Sequence, residues 1–136
     1  MSNIDNDNIK NILGDIDNHN IDDLDRFKLD VLVELNFNKK EIKNLKKKLE
    51  KYKYIEDLSD LHLGKYIRWF NIKNEPQKPK LKNGGFIIDI NYINDINIIC
   101  KNSNNYIFNL NFNDCIIFQK LTLYEEFISN VLSYIK

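Results

Sequence analysis

The chain has 136 residues, two cysteines and 20 basic against 20 acidic side chains. That length fits one compact domain, or a small domain with a helical attachment. Zero net charge gives no global attraction to nucleic acid or an anionic membrane, and no run of about 18 apolar residues is present to span a bilayer.

The charge is unevenly spread. Residues 1–36 carry nine acids against Lys10, Arg26 and Lys28, a net of −6, whereas residues 39–53 carry eight lysines against Glu41 and Glu50, a net of +6. An acidic block followed by a basic one suggests two segments lying antiparallel and neutralising each other. Exposed pairs of this kind contribute only about 0–1 kcal/mol each, enough to favour a pairing direction and no more.

In chain order, residues 1–20 form an Asn/Asp-rich arm. Ile9, Ile12, Leu13 and Ile16 have helical spacing, yet Asn and Asp favour turns and caps, so a frayed or flexible arm is expected. The polar start MSNIDNDNIK lacks a secretory pattern. An intracellular setting follows, with Cys100 and Cys115 reduced and buried.

Residues 21–60 read as a helical hairpin. Phe27, Leu29, Val31, Val33, Leu35 and Phe37 alternate as a strand would, while Leu24, Phe27, Val31 and Leu35 share one helical face. The following residues favour the helix. Asn38 and Glu41 have capping-box spacing, and Ile42, Leu45, Leu49 and Tyr52 continue at intervals of three, four and three, an a/d-type seam.

Residues 61–136 read as a small β-barrel closed by a C-terminal helix. Tyr66–Ile72 is aromatic and β-branched. The two prolines of Lys73–Lys80 make a loop, and Asn83-Gly84-Gly85 marks a turn requiring positive φ. Phe86, Ile88, Ile90 and Tyr92 then alternate with Asp89 and Asn91. Ile96–Lys101 follows as a strand, and Tyr106, Phe108, Leu110 and Phe112 form the clearest half-buried one. Cys115–Gln119 is a last short strand. Thr122 and Glu125 open a helix that directs Leu123, Phe127, Ile128, Val131 and Ile135 at the core. The expected fold class is thus α+β: an N-terminal helical hairpin, a five-stranded antiparallel barrel beginning near Leu63, and a C-terminal helix.

The run Leu63-Gly-Lys-Tyr-Ile-Arg-Trp69, then Asn83-Gly-Gly-Phe86 and three short strands, resembles SH3-like barrels of the Tudor and KOW class over residues 61–120. The heavy use of Asn and Ile, the absence of Ala and the overall layout resemble small proteins of giant (nucleocytoplasmic large) DNA viruses with AT-rich genomes. That likeness implies host cytoplasm or virion as the location.

No catalytic constellation stands out, so enzyme activity is not expected. His19 and His62 lack a nucleophile or carboxylate at a recognisable spacing, and Cys100 and Cys115 lack zinc-ligand spacing, so neither metal nor cofactor is expected. Gly84-Gly85 precedes a strand rather than a helix, unlike a phosphate loop. No small-molecule substrate or membrane partner is indicated.

Two interaction readings remain. The first is an assembly protein whose seam, Ile42, Leu45, Leu49 and Tyr52, pairs with a second copy or another protein. The second is a nucleic-acid-binding factor using the basic helix 39–53 and the loop Lys73, Lys78, Lys80 and Lys82, with Arg68 and Trp69 beside it. The Tudor likeness would also allow a methyl-lysine cage of Tyr66, Trp69 and Tyr92, but three rings must then converge on one cation, and a core role for such rings in a small barrel is the expectation.

Overall fold

The computed structural model describes the backbone of residues 21–135 and the side chains of residues 28–132, 134 and 135. The Asn/Asp-rich arm, including His19, lies outside the described residues. So do the side chains of Leu24 and Phe27.

Helix α1, Ile21–Glu34, ends where Asn36 takes a left-handed φ of 63°, a conformation Asn tolerates better than most residues. The strand alternative for residues 27–37 is not adopted. Asn38 caps α2, Lys39–Lys48: its side chain accepts from the Glu41 amide at 2.8 Å, and Glu41 accepts from the Asn38 amide at 3.1 Å. These reciprocal bonds satisfy two of the donors that every helix start leaves unpaired.

Helix α2 is shorter than the seam spacing predicts. It stops at Lys48, and Tyr52–Ile55 forms strand β1. The aromatic and β-branched run Tyr-Lys-Tyr-Ile suits a pleated surface better than another helical turn. Lys28 fixes the junction, its buried ammonium donating to the Leu49 and Tyr52 carbonyls at 2.8 and 2.9 Å. The Leu49 carbonyl at the helix C-cap also accepts from the Tyr52 amide at 3.0 Å, and a cation near a helix C-terminus is favourable for both partners.

Five further strands follow: β2, Tyr66–Asn71; β3, Gly85–Asn91; β4, Asn97–Lys101; β5, Ile107–Asn111; and β6, Cys115–Lys120. Helix α3, Leu123–Ile135, ends the chain's described structure. The fold is α+β; the described residues hold three helices and one antiparallel sheet in the order β1-β6-β2-β3-β4-β5. The expected count of five strands is therefore corrected to six. The extra strand lies in the segment assigned to helix and link, and it pairs Tyr52 with Lys120 and Ile55 with Ile117. The sheet is open, with β1 and β5 as its edges.

Neighbouring residues of a strand face opposite sides, and this chain uses both. Ile67, Trp69 and Ile117 join Ile55, Leu61, Ile87, Ile98, Cys100 and Leu110 on one side. Phe70 and Phe118 join Leu32, Leu45, Leu49 and Leu81 on the other, beneath the helices. Trp69 on β2 touches Phe108 on β5, ring centroids 5.3 Å apart, although the strands are three places apart in the sheet. The sheet therefore bends strongly.

Two face assignments differ from expectation. A bulge between Ile87 and Asp89 shifts the register of β3, so Ile87 enters the core while Phe86 and Ile88 face outward. On α3 only Ile128 is fully buried, and Leu123, Phe127 and Ile135 face solvent. The helix is apolar around most of its circumference, and a single side of it meets the body.

Candidate functional site: an aromatic cleft beside strand β2

Strand β2 pairs with β3 only at Tyr66–Phe86 and Ile67–Gly85. Backbone bonds continue on either side, Gly64 and Lys65 to Ile87 and the Lys82 amide to the Trp69 carbonyl at 2.8 Å, so Asn83 and Gly84 form an irregular stretch within the pairing. Arg68, Trp69, Asn83 and Gly84 line a cleft of about 550 Å³ there, walled by Tyr52 and Tyr66 on one side and by Phe108 and the β4–β5 turn, Asn102 to Asn104, on the other. A second cleft of about 400 Å³ shares Tyr52 and Tyr66 and adds Lys65, Phe86 and Lys120. The pair of clefts sharing these tyrosines in their walls is termed the groove.

Glycines build this groove by close approach rather than by turn geometry. Gly64 is the glycine with positive φ, at 85°, so the expected positive φ at Gly84-Gly85 is corrected. A Cβ on Gly84 would fall on the Tyr66 ring, and one on Gly85 would lie 2.7 Å from the Phe108 ring. Both positions let an aromatic ring rest against bare backbone. Tyr66 is further held edge-on to Phe86, centroids 4.9 Å apart.

Arg68 Nε donates to the Lys82 carbonyl at 3.1 Å, which fixes the stem of the guanidinium. Among the described residues no carboxylate pairs with it. Burial pushes the Tyr52 phenol above its ordinary value; nearby Tyr66 adds to the rise and Arg68 opposes it. The titratable groups on the walls of the larger cleft are Tyr52, Tyr66 and Arg68. They suit stacking and anion contact rather than proton transfer at neutral pH.

The expected site residues fall into three places. Arg68 and Trp69 come together at the groove. The four lysines of the loop do not join them as free cations: Lys78 pairs with Glu41 at 2.8 Å, Lys82 with Glu75 at 2.6 Å and Lys73 with Asp114 at 3.7 Å, while Lys80 is exposed. Lys82 is the main reason the Glu75 carboxyl lies below its ordinary range, and Lys78 does the same for Glu41. The seam is not a free face. Leu45 and Leu49 are buried in the core under the helices, Ile42 packs against it, and Tyr52 has left the helix for β1 and the groove. Tyr92 is exposed and lines neither cleft, so the Tyr66–Trp69–Tyr92 cage does not form.

Elsewhere the chemistry is quiet. Burial pushes the Cys100 thiol to about 12 and Cys115 to about 11. Neither is a thiolate at neutral pH. His62 is exposed, and its amide donates to the buried Gln119 side chain at 2.9 Å. No group of three or more metal-ligating side chains occurs among the described residues, and no described helix is long and apolar enough to cross a membrane.

Sequence reasoning placed Tyr52 in the helical seam rather than at a cleft, and it did not single out Phe108, Lys65, Lys120 or the Asn102–Asn104 turn. Only the Gly84-Gly85 pair hinted at a close approach. No family model, curated protein or solved structure matches this chain.

Proposed function

We propose that this chain is a binding module for single-stranded nucleic acid, with the Tyr52–Tyr66 groove as its site. The observation that carries the reading is a pair of clefts sharing Tyr52 and Tyr66, one with Phe108, Arg68 and the amides of Asn83, Asn102 and Asn104, the other with Phe86 and the cations Lys65 and Lys120. Exposed bases stack on aromatic faces at about 1–3 kcal/mol each, and cations along the groove follow the phosphates. The amides supply donors and acceptors for base edges. Helix α2 adds to the attraction, with Lys39, Lys40, Lys43, Lys46, Lys47 and Lys48 exposed and Lys51 immediately before Tyr52.

The order β6-β2-β3-β4-β5, the 3₁₀ turn Phe112–Asp114 before β6 and the Trp69–Phe108 contact support reading the bent sheet as an SH3-like barrel with β1 added outside β6. Helices α1 and α2, joined by four residues, then form a hairpin over one face.

The only tryptophan, Trp69, lies at the groove and reports on it. Titration with oligothymidine or oligouridine should quench its fluorescence. The affinity should fall with salt at a log–log slope of about −2, for three cations on a single strand. Tyr66→Ala should weaken binding about 5- to 150-fold, the loss of one stacked base. Absence of quenching at low salt, or affinity indifferent to salt, sinks the reading.

A further inference from the structure

The second surface that calls for an occupant is α3. Its residues Leu123, Phe127, Asn130 and Tyr134 recur at intervals of four, three and four, which places them on one line of the helix, the spacing of a coiled-coil seam. All four are exposed, Leu123 at 85%, Phe127 at 60% and Tyr134 at 93%. Tyr124 and Ile135 widen the stripe on one flank. The opposite side of the helix is already committed, through buried Ile128 and the capping box in which Thr122 and Glu125 exchange bonds of 2.9 and 3.0 Å.

We propose that this stripe pairs with the α3 of a second copy of the chain in an antiparallel two-fold contact. Three observations favour a second copy. The stripe is self-complementary: reversing it about a point between Phe127 and Asn130 sets Leu123 opposite Tyr134 and Phe127 opposite Asn130, so the same patch serves both partners. Leu123, Phe127 and Tyr134 expose about 480 Å² on the line itself, at ~200 Å² per fully exposed large side chain. Tyr124 and Ile135, about 100° round the helix, bring the apolar area available to about 700 Å², against the ~800 Å² each partner contributes to a stable interface. The charge fits too. Glu125 is tied to Lys53 at 2.7 Å, and no described residue of α3 is a cation, so an anionic lipid surface or nucleic acid finds nothing there to attract it. Asn130, the one polar residue of the stripe, lies near the axis, where a side-chain amide fixes register at a cost in stability.

Sedimentation equilibrium on the full chain tests this at about 100 µM, well above the micromolar dissociation constants at the weak end for interfaces of standard size. The expected result is a wild-type dimer that becomes monomeric in Phe127→Glu and, independently, in Leu123→Lys, with unchanged circular dichroism. Both sites are exposed, so neither substitution disturbs the core. In the double variant Phe127→Cys/Asn130→Cys, whose two positions face each other across the two-fold, oxidation should yield a disulfide-linked dimer. A monomeric wild-type chain overturns the proposal, as does a dimer indifferent to both charge substitutions. A monomer that floats with zwitterionic vesicles overturns it in favour of a lipid surface.

Discussion

Gly84→Ala tests how the groove is built. The added Cβ falls on Cε2 and Cζ of Tyr66, far inside the ~3.5 Å at which carbon atoms meet. Either the ring swings out of the groove or the backbone between β2 and β3 shifts. Forcing a methyl group into an occupied space costs about 1–3 kcal/mol. For a domain of this size that is a fall in melting temperature of about 4–12 °C. The ring that moves is also the proposed stacking platform, so binding should weaken by a further 5- to 150-fold or thereabouts. Gly64→Ala is the control. A Cβ there meets nothing within 4 Å, but its φ of 85° strains any L side chain, a cost of about 1–2 kcal/mol. It should lower the melting temperature comparably while leaving Tyr66 in place and, since Gly64 lines only the smaller cleft, weaken binding less than Gly84→Ala does. Thermal melts and fluorescence titrations on the two variants separate the effects. A Gly84→Ala chain with wild-type stability and binding would refute the close-approach argument.

Three further outcomes follow from the same structure. Lys28→Met removes the donor to the Leu49 and Tyr52 carbonyls; Leu49 keeps its bond from the Tyr52 amide, so with one acceptor losing its side-chain donor outright urea denaturation should show a loss of about 1–3 kcal/mol. Stability should fall at both ends of the pH scale. Burial pushes the Glu125 carboxyl up, but Lys53 and Thr122 outweigh it and hold it below its ordinary value of 4.5. Its contribution is therefore present above that value and lost as pH falls below it. Cys100, raised from 9.0 to about 12, contributes fully below 9 and loses that contribution as pH rises toward 12. Melts of the wild type, Glu125→Gln and Cys100→Ser should show the acid limb flattened only in the first variant and the alkaline limb only in the second. Finally, in the Trp69 titration, Lys78→Ala should change affinity less than about twofold, since that lysine is already held by Glu41, whereas Arg68→Ala should lower it about tenfold or more.

What the sequence made legible was local chemistry. Both capping boxes, at Asn38 and Thr122, form with the expected partners, because their bonds span only three residues. The turns at Asn94 and Asn105 appear where Asn clusters, each with φ near 65°. What escaped were relations across the chain. The lysine loop looked cationic because Glu41, the partner of Lys78, is 37 residues away in sequence. Strand β1 hid within an apparent seam, because Tyr52 continues the spacing of Ile42, Leu45 and Leu49 and only pairing with β6 makes it extended. On α3 the apolar residues surround so much of the helix that spacing could not tell the buried side from the exposed one. The cleft beside Trp69 forms where Asn83 and Gly84 interrupt the ladder between the Ile67–Gly85 pair and the Trp69–Lys82 bond, and no residue pattern marks such an interruption.

The two proposals, if joined, make a quantitative claim that neither makes alone. A dimer through α3 carries two grooves. A strand long enough to enter both binds the second time as an intramolecular event, and linkage of this kind raises overall affinity by about 10²–10⁴ over a single site. A short oligonucleotide that fills one groove gains nothing from the dimer. Phe127→Glu touches no residue of the groove, so it should leave short-strand affinity at the wild-type value and abolish the gain for a long strand. Tyr66→Ala should weaken both, and its effect on the long strand should be about the square of its effect on the short one, because two stacked contacts are lost together. Equal losses for the two lengths would mean that the strand uses one groove at a time, whatever the oligomeric state.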